Sequence, residues 1–268
     1  MPESPPAPSP ALEPHVWRAL GLDAPAGGRP PVVAIVGGGG KTSLLYRLGR
    51  EATALGHRVV ISGTVRFTRA PYPHATPLVL QDAEDRLPAR ILDAWASGAT
   101  LLVVRAPNIE RRGRLAPLMP ETVDALAVLD GLGAMFFEAD GSRQRPFKAP
   151  APHEPVIPTL ATHVVVVVSI DALDAPLDEA HVHRPEYVRA ICDRPTCDAD
   201  LIARVLASPL GGRQHVEGRT FAVVVNKADL GPAAARRLAE RIAAQGVPRV
   251  VIARLAYEDA PVDGVVVA

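Results

Sequence analysis

Apolar and polar positions fall into blocks of two lengths along this chain. Short, nearly continuous apolar runs occupy Val32–Val36 (VVAIV), His57–Ser62 (HRVVIS), Thr100–Arg105 (TLLVVR), Ala134–Phe137 (AMFF), Thr162–Ser169 (THVVVVVS), Thr220–Val225 (TFAVVV) and Arg249–Ala253 (RVVIA). Valine-rich runs of this length with no polar face predict strands buried on both sides. Longer stretches between them carry a helical period. Thr42–Leu55 puts Leu44, Leu45, Leu48, Ala52 and Leu55 on one face, and Arg86–Ser97, Glu121–Leu129 and Gly231–Gln245 read as further helices. Strands alternating with helices predict an α/β fold, a three-layer sandwich around a mostly parallel sheet. Ligands of such sheets sit at the carboxyl ends of the strands. Pro146–Pro158 and Asp171–Arg194 show no period, and loops of that length are often functional.

Ahead of the first strand, Met1–Pro10 is proline-rich and reads as a disordered tail. Ala11–Leu22 reads as a short helix and Asp23–Pro30 as a linker, so residues 31–268 form the folded domain. The tail lacks a charged start followed by an apolar block, and no apolar run approaches the roughly 20 residues of a membrane helix. The expectation is a cytoplasmic protein without a membrane partner. Basic and acidic residues balance at 29 each and aromatics make up 4%, which argues against nucleic acid as a partner. Cys192 and Cys197 imply no disulfide framework, and their spacing suits zinc poorly.

The first strand stops at Gly37, Gly38, Gly39 and Gly40, followed by Lys41, Thr42 and Ser43. Glycines let the backbone turn sharply and aim N–H groups inward, while the following helix presents its positive end. Lys41 can then reach terminal phosphates and Thr42 can offer its hydroxyl to Mg²⁺. The full phosphate-loop pattern asks for a further glycine where Ile35 stands, so the loop is a shortened G-x-x-G-K-T. This places the chain with P-loop NTPase-type sandwiches.

After TFAVVV comes Asn226-Lys227-Ala228-Asp229. Guanine shows two adjacent donors, N1–H and the N2 amine, which one carboxylate accepts as a fork. Asp229 suits that role, with the Asn226 amide near O6 or N7 and Lys227 along the base. Adenine has an acceptor where guanine has N1–H, so GTP is expected ahead of ATP. The strand at Ala134 ends in Glu138-Ala139-Asp140-Gly141, which supplies Glu138 or Asp140 as a carboxylate for Mg²⁺. Arg143, Arg145 and Lys148 follow in a proline-bounded loop, suited to a γ-phosphate, an anionic substrate or merely to solvent.

GGGGKTS at Gly37–Ser43, EADGS at Glu138–Ser142, PFKAP at Pro146–Pro150, HEPVIP at His153–Pro158, HRPE at His183–Glu186 and NKAD at Asn226–Asp229 together resemble the selenium-dependent hydroxylase accessory family YqeC. The likeness runs from about Val32 to the C-terminus. It implies a P-loop protein that assists maturation of selenium-dependent molybdenum hydroxylases, with the hydroxylase or its maturation proteins as partners. Within it Lys41, Glu138, Asp140 and Arg143 are candidate catalytic residues. Thr64, Lys148, His153, Glu154, His183 and Arg184 are candidates for contact with a substrate or partner. The E-x-x-G carboxylate is similar to that of metallochaperone GTPases serving hydrogenase and urease. Two departures from the family pattern stand out: Ser62-Gly63-Thr64-Val65-Arg66 replaces consecutive threonines, and Ala253-Arg254-Leu255 is the nearest approach to a base-supporting S-A-K. The expected activity is slow, magnesium-dependent GTP hydrolysis. The rival readings are a kinase or Mur-like ligase acting on a small acidic substrate, and a nucleotide-gated binding module without turnover.

Overall fold

All seven apolar runs become strands of one sheet. The computed structural model describes residues 15–23, 28–68, 78–81, 86–96, 100–105, 114–257 and 259–268. The proline-rich tail, part of the linker, and Arg111 and Arg112 lie outside the described residues. The strands are β1 (Val32–Gly37), β2 (Val59–Gly63), β3 (Leu78–Leu80), β4 (Thr100–Val104), β5 (Ala134–Glu138), β6 (His163–Ser169), β7 (Thr220–Asn226), β8 (Arg249–Ala253) and β9 (Val262–Val267). Their order across the sheet is β9-β8-β7-β6-β1-β5-β2-β4-β3. Every neighbouring pair is parallel except β8 with β9.

The helices are α1 (His15–Leu20), α2 (Lys41–Ala54), α3 (Leu87–Trp95), α4 (Pro120–Ala127), α5 (Pro185–Ile191), α6 (Ala199–Ala207) and α7 (Pro232–Ala244). Period-two alternation along β1 divides the core. Val33 and Ile35 pack with α1 and α2 on one face, through Trp17, Leu44, Leu45 and Leu48. Val32, Ala34 and Val36 face the other side, where residues of α3, α4, α6 and α7 gather. Helices on both faces leave the strands no polar side, which is why their sequences are continuous apolar runs. Each fully buried valine contributes roughly 1.5–3 kcal/mol.

The sequence reading has no counterpart for β3, β9, α6 or α5, the last of which falls inside the Asp171–Arg194 segment read as aperiodic. β9 alternates half-buried and exposed positions around Gly264 at the sheet's antiparallel edge, so it lacks the continuous apolar signature. α6 begins at Asp198, whose carboxylate caps the helix by accepting from the Leu201 N–H at 2.8 Å.

Parallel pairing sets the functional edge. Ile35 lies beside Glu138, Gly37 beside Val167, and Asn226 beside Ser169. Register therefore brings the glycine loop, the β5 carboxylate and the β7 motif to the same carboxyl end of the sheet. A two-stranded parallel pair, Phe147–Lys148 with Val182–His183, joins the two long aperiodic segments just beyond that edge.

Candidate functional site

The four glycines are packed against their surroundings. A Cβ on Gly38 would stand 2.3 Å from the Arg145 carbonyl oxygen, and one on Gly40 would stand 2.2 Å from the Asn226 amide nitrogen. Gly39 combines φ of 76° with a Cβ position 2.2 Å from Ser169, so no L side chain fits there. The loop is thus a close-fitting turn clamped between the Arg145–Phe147 backbone and the end of β7.

Asp140 anchors the loop's entry. Both its carboxylate oxygens accept the Gly37 N–H, at 3.1 and 3.0 Å. Lys41 lies 3.3 Å from one of them and donates to the Gly37 carbonyl at 2.8 Å. Lys148 lies 3.1 Å from the other. Lys148 also donates to Glu154 at 2.7 Å, and Glu154 accepts from Arg184 at 2.6 Å. Asp140, Lys148 and Glu154 are all buried, and buried charges persist only when paired in this way.

Glu138 is placed differently. Its carboxylate accepts the Thr42 hydroxyl at 2.6 Å, and burial holds its pKa above the usual carboxylate range against the lowering pull of Lys41 and Thr42. The structure thereby separates the two acidic candidates. Asp140 is saturated by the Gly37 N–H and two lysines, whereas Glu138 and Thr42 present two adjacent oxygens with no direct cationic partner. A hard cation suits such a pair. Mg²⁺ commonly takes one or two protein oxygens and completes its shell with water and phosphate. Among the described residues no group of three or more His, Cys, Asp or Glu forms a fuller cage.

This electrostatics gives a first prediction. Ionising Glu138 in the metal-free fold is costly, so the fold loses stability as pH rises above the ordinary carboxylate range toward the raised pKa. Glu138→Gln should raise the melting temperature of metal-free protein at pH 8, each kcal/mol recovered being worth about 2–4 °C. The gain should vanish near pH 3, below the ordinary glutamate range of about 4.3, where the wild-type carboxyl is protonated in both states. Thermal unfolding at the two pH values, in EDTA, reads this directly. No gain at pH 8 would contradict it.

The β7 motif braces the loop as well as facing the cavity. Asn226 donates to the Gly39 carbonyl at 2.9 Å and accepts the Leu255 N–H at 3.0 Å, so its amide is engaged at both ends. Lys227, in left-handed backbone geometry at φ 58°, pairs with Asp171 at 2.6 Å. Asp229 is exposed, and among the described residues its carboxylate has no hydrogen-bond or ionic partner.

These groups border one cavity of about 770 Å³. Gly39, Gly40, Lys41, Thr42 and Ser43 line it together with Glu138, Asp140 and Arg143, and so do Asn226, Lys227 and Asp229. Its remaining wall includes Arg66, Phe67, Leu230, Arg254 and Tyr257, none of which the sequence reading assigned to the site. Arg254 and Arg66 each follow the carboxyl end of a strand, which was the available signal.

Several candidates fall elsewhere. Thr64 donates to the Val156 carbonyl at 2.7 Å and its N–H to the Glu138 carbonyl at 2.9 Å, tying β2 to the segment after Pro155 outside the cavity lining. Lys148 and Glu154 are buried behind the loop rather than lining the cavity. His183 and Arg184 line a second cavity. His153 is exposed and lines neither.

Residues 33–186 match the family described as YqeC protein. Over 166 residues the chain is 34% identical to "Uncharacterized protein YqeC" of Escherichia coli (strain K12), an alignment covering 62% of this chain and 62% of that protein. No solved structure matches. Among the described residues no helix is long and apolar enough to cross a membrane. The matched region contains the glycine loop, Glu138, Asp140 and the Lys148–Glu154–Arg184 ion pairs, and on that match the chain belongs to the YqeC family.

Proposed function

We propose that this protein is a magnesium-dependent GTP-binding protein with slow GTPase activity, and that it serves as an accessory factor in the maturation of selenium-dependent molybdenum hydroxylases. The observation that carries the nucleotide reading is the shared cavity. Gly39, Gly40, Lys41 and the hydrogen-bonded Thr42 and Glu138 line it, and so does Asp229, whose carboxylate has no partner among the described residues. Phosphates would meet the loop N–H groups beyond those of Gly37 and Gly38, which are taken by Asp140 and the Val167 carbonyl, and the N-terminus of α2. Lys41 would offset terminal phosphate charge, and Thr42 with Glu138 would hold Mg²⁺, which neutralises charge developing on the phosphates. Asp140 acts behind them by fixing the Gly37 N–H and Lys41. Exposed Leu230 and Tyr257 offer apolar walls for a base beside Asp229. The accessory role rests on the family resemblance in the sequence.

Asp229 supplies the test. Asp229→Asn replaces an acceptor oxygen with an NH₂ donor that clashes with the guanine N2 amine but suits xanthine, which has a carbonyl there. The variant should bind GTP about 5- to 150-fold more weakly, as expected for losing a bidentate contact of about 1–3 kcal/mol. It should correspondingly favour xanthosine triphosphate. Competition binding in Mg²⁺ measures both ratios. An unchanged GTP affinity in the variant would remove Asp229 from base recognition.

A further inference from the structure

A second cavity of about 440 Å³ opens beside the first, on the far side of the turn that follows Asp140. Arg143 lines both cavities. The second is walled by the 143–145 segment and the 179–186 segment, held together by the Phe147–Lys148 pairing with Val182–His183. Three arginines line it, Arg143, Arg145 and Arg184. Among the described residues the Arg143 side chain has no partner, and Arg145 donates only through Nε, to the Glu179 carbonyl at 2.9 Å. Arg184 is pinned by Glu154, itself held by Lys148, so its guanidinium is fixed in place at the cavity wall.

The backbone is strained at this spot. Arg143, Gln144 and Arg184 all adopt positive φ, at 47°, 64° and 62°. Non-glycine residues rarely adopt that region, and such strain gathers at ligand clamps. His183 completes the wall from a buried position. Burial, aided by the Lys148 and Arg184 cations, pulls its pKa down to about 4, so it stands neutral at physiological pH as a hydrogen-bonding group. The Glu179 and Glu186 carboxylates are the opposing charges at the cavity, and both residues are exposed.

We propose that this second cavity binds a small molecule through a phosphate group, held by Arg143, Arg145 and Arg184. Planar guanidinium forks match phosphate oxygens, and three converging on one cavity exceed what a solvated basic loop requires. The volume is larger than an inorganic phosphate fills, which points to a phosphomonoester. The site is separate from the nucleotide's own, and its ligand would lie next to the terminal phosphate end of the first cavity through the shared Arg143.

The test uses full-length protein with inorganic phosphate and ribose 5-phosphate as probes, titrated by calorimetry into the Lys41→Ala variant to suppress the phosphate loop. Binding of the ester in Lys41→Ala is expected, at least as tight as that of inorganic phosphate. Adding Arg145→Gln should weaken it tenfold or more, while adding Arg145→Lys, which keeps the charge and loses the fork, should recover only part of that affinity. Phenylglyoxal modification read by mass spectrometry gives a second measurement that needs no arginine variant: ribose 5-phosphate should protect Arg145 and Arg184. Absence of binding and protection in Lys41→Ala, or an affinity indifferent to Arg145→Gln, would overturn the proposal. Either result leaves the nucleotide reading standing, because GTP binding by wild type is measured separately.

Discussion

Replacing Lys41 by alanine should weaken Mg·GTP binding by about 30-fold to several thousand-fold while leaving the protein folded. Truncating one partner of a buried, hydrogen-bonded charge pair costs about 2–5 kcal/mol of binding, and each 1.4 kcal/mol is about tenfold. Lys41 is 6% exposed and its ammonium is already held at the loop by the Gly37 carbonyl and Asp140, so little ordering is needed when phosphate arrives. The fold should survive because Asp140 keeps the Gly37 N–H and the Lys148 ammonium at 3.1 Å. Titration with a fluorescent GTP analogue, alongside far-UV circular dichroism, separates the two effects. Unchanged affinity in a folded Lys41→Ala protein would show that the loop does not hold phosphate through this residue.

The second large effect concerns stability. Arg47 and Glu51 on α2 form an ion pair at 2.5 Å in which both side chains are 0% exposed. Glu51 also accepts the Trp17 N–H at 2.7 Å, and Arg47 donates to the Tyr257 carbonyl at 3.1 Å. The pair therefore ties the helix after the glycine loop to α1 on one side and to the cavity wall on the other. Glu51→Ala removes the carboxylate paired with a buried guanidinium and leaves the Trp17 backbone N–H without its acceptor, at a cost of about 3–5 kcal/mol. Total stabilities are only about 5–15 kcal/mol, so a large share of the fold's margin goes. The melting temperature should fall by roughly 6–20 °C at about 2–4 °C per kcal/mol. Arg47→Leu combined with Glu51→Ala removes both charges and should recover much of the loss, which thermal unfolding of the three proteins would show. A single variant as stable as wild type would contradict this account of the pair.

Much of the fold and the outline of the site were legible because their signals are local. β1, β6 and β7 are doubly buried, so their apolar runs could be read without knowing their neighbours. GGGGKTS, EADG and NKAD each follow a strand end within two residues, which placed them on one edge once the sheet was taken as parallel. What escaped depends on contacts distant in sequence. Nothing in the order of residues shows that Arg145's carbonyl would fill the space beside Gly38, or that Asn226 would brace Gly39. The division of labour between Glu138 and Asp140 also escaped, since two carboxylates two residues apart look alike until Lys148 is seen to reach back to Asp140. The second cavity is built from segments some 35 positions apart that a two-residue strand pairing joins, too short to leave a period. β9 was missed for a different reason: an edge strand with half-exposed positions carries a weak pattern.

The central claim is that the shortened glycine loop and NKAD together make a guanine-nucleotide site. Its most direct test is equilibrium competition of GTP against ATP on the wild-type protein in Mg²⁺. GTP should displace a bound fluorescent GTP analogue at concentrations at least about fivefold below those needed for ATP, the lower bound for a good bidentate base contact. ATP displacing it as readily as GTP would contradict the claim.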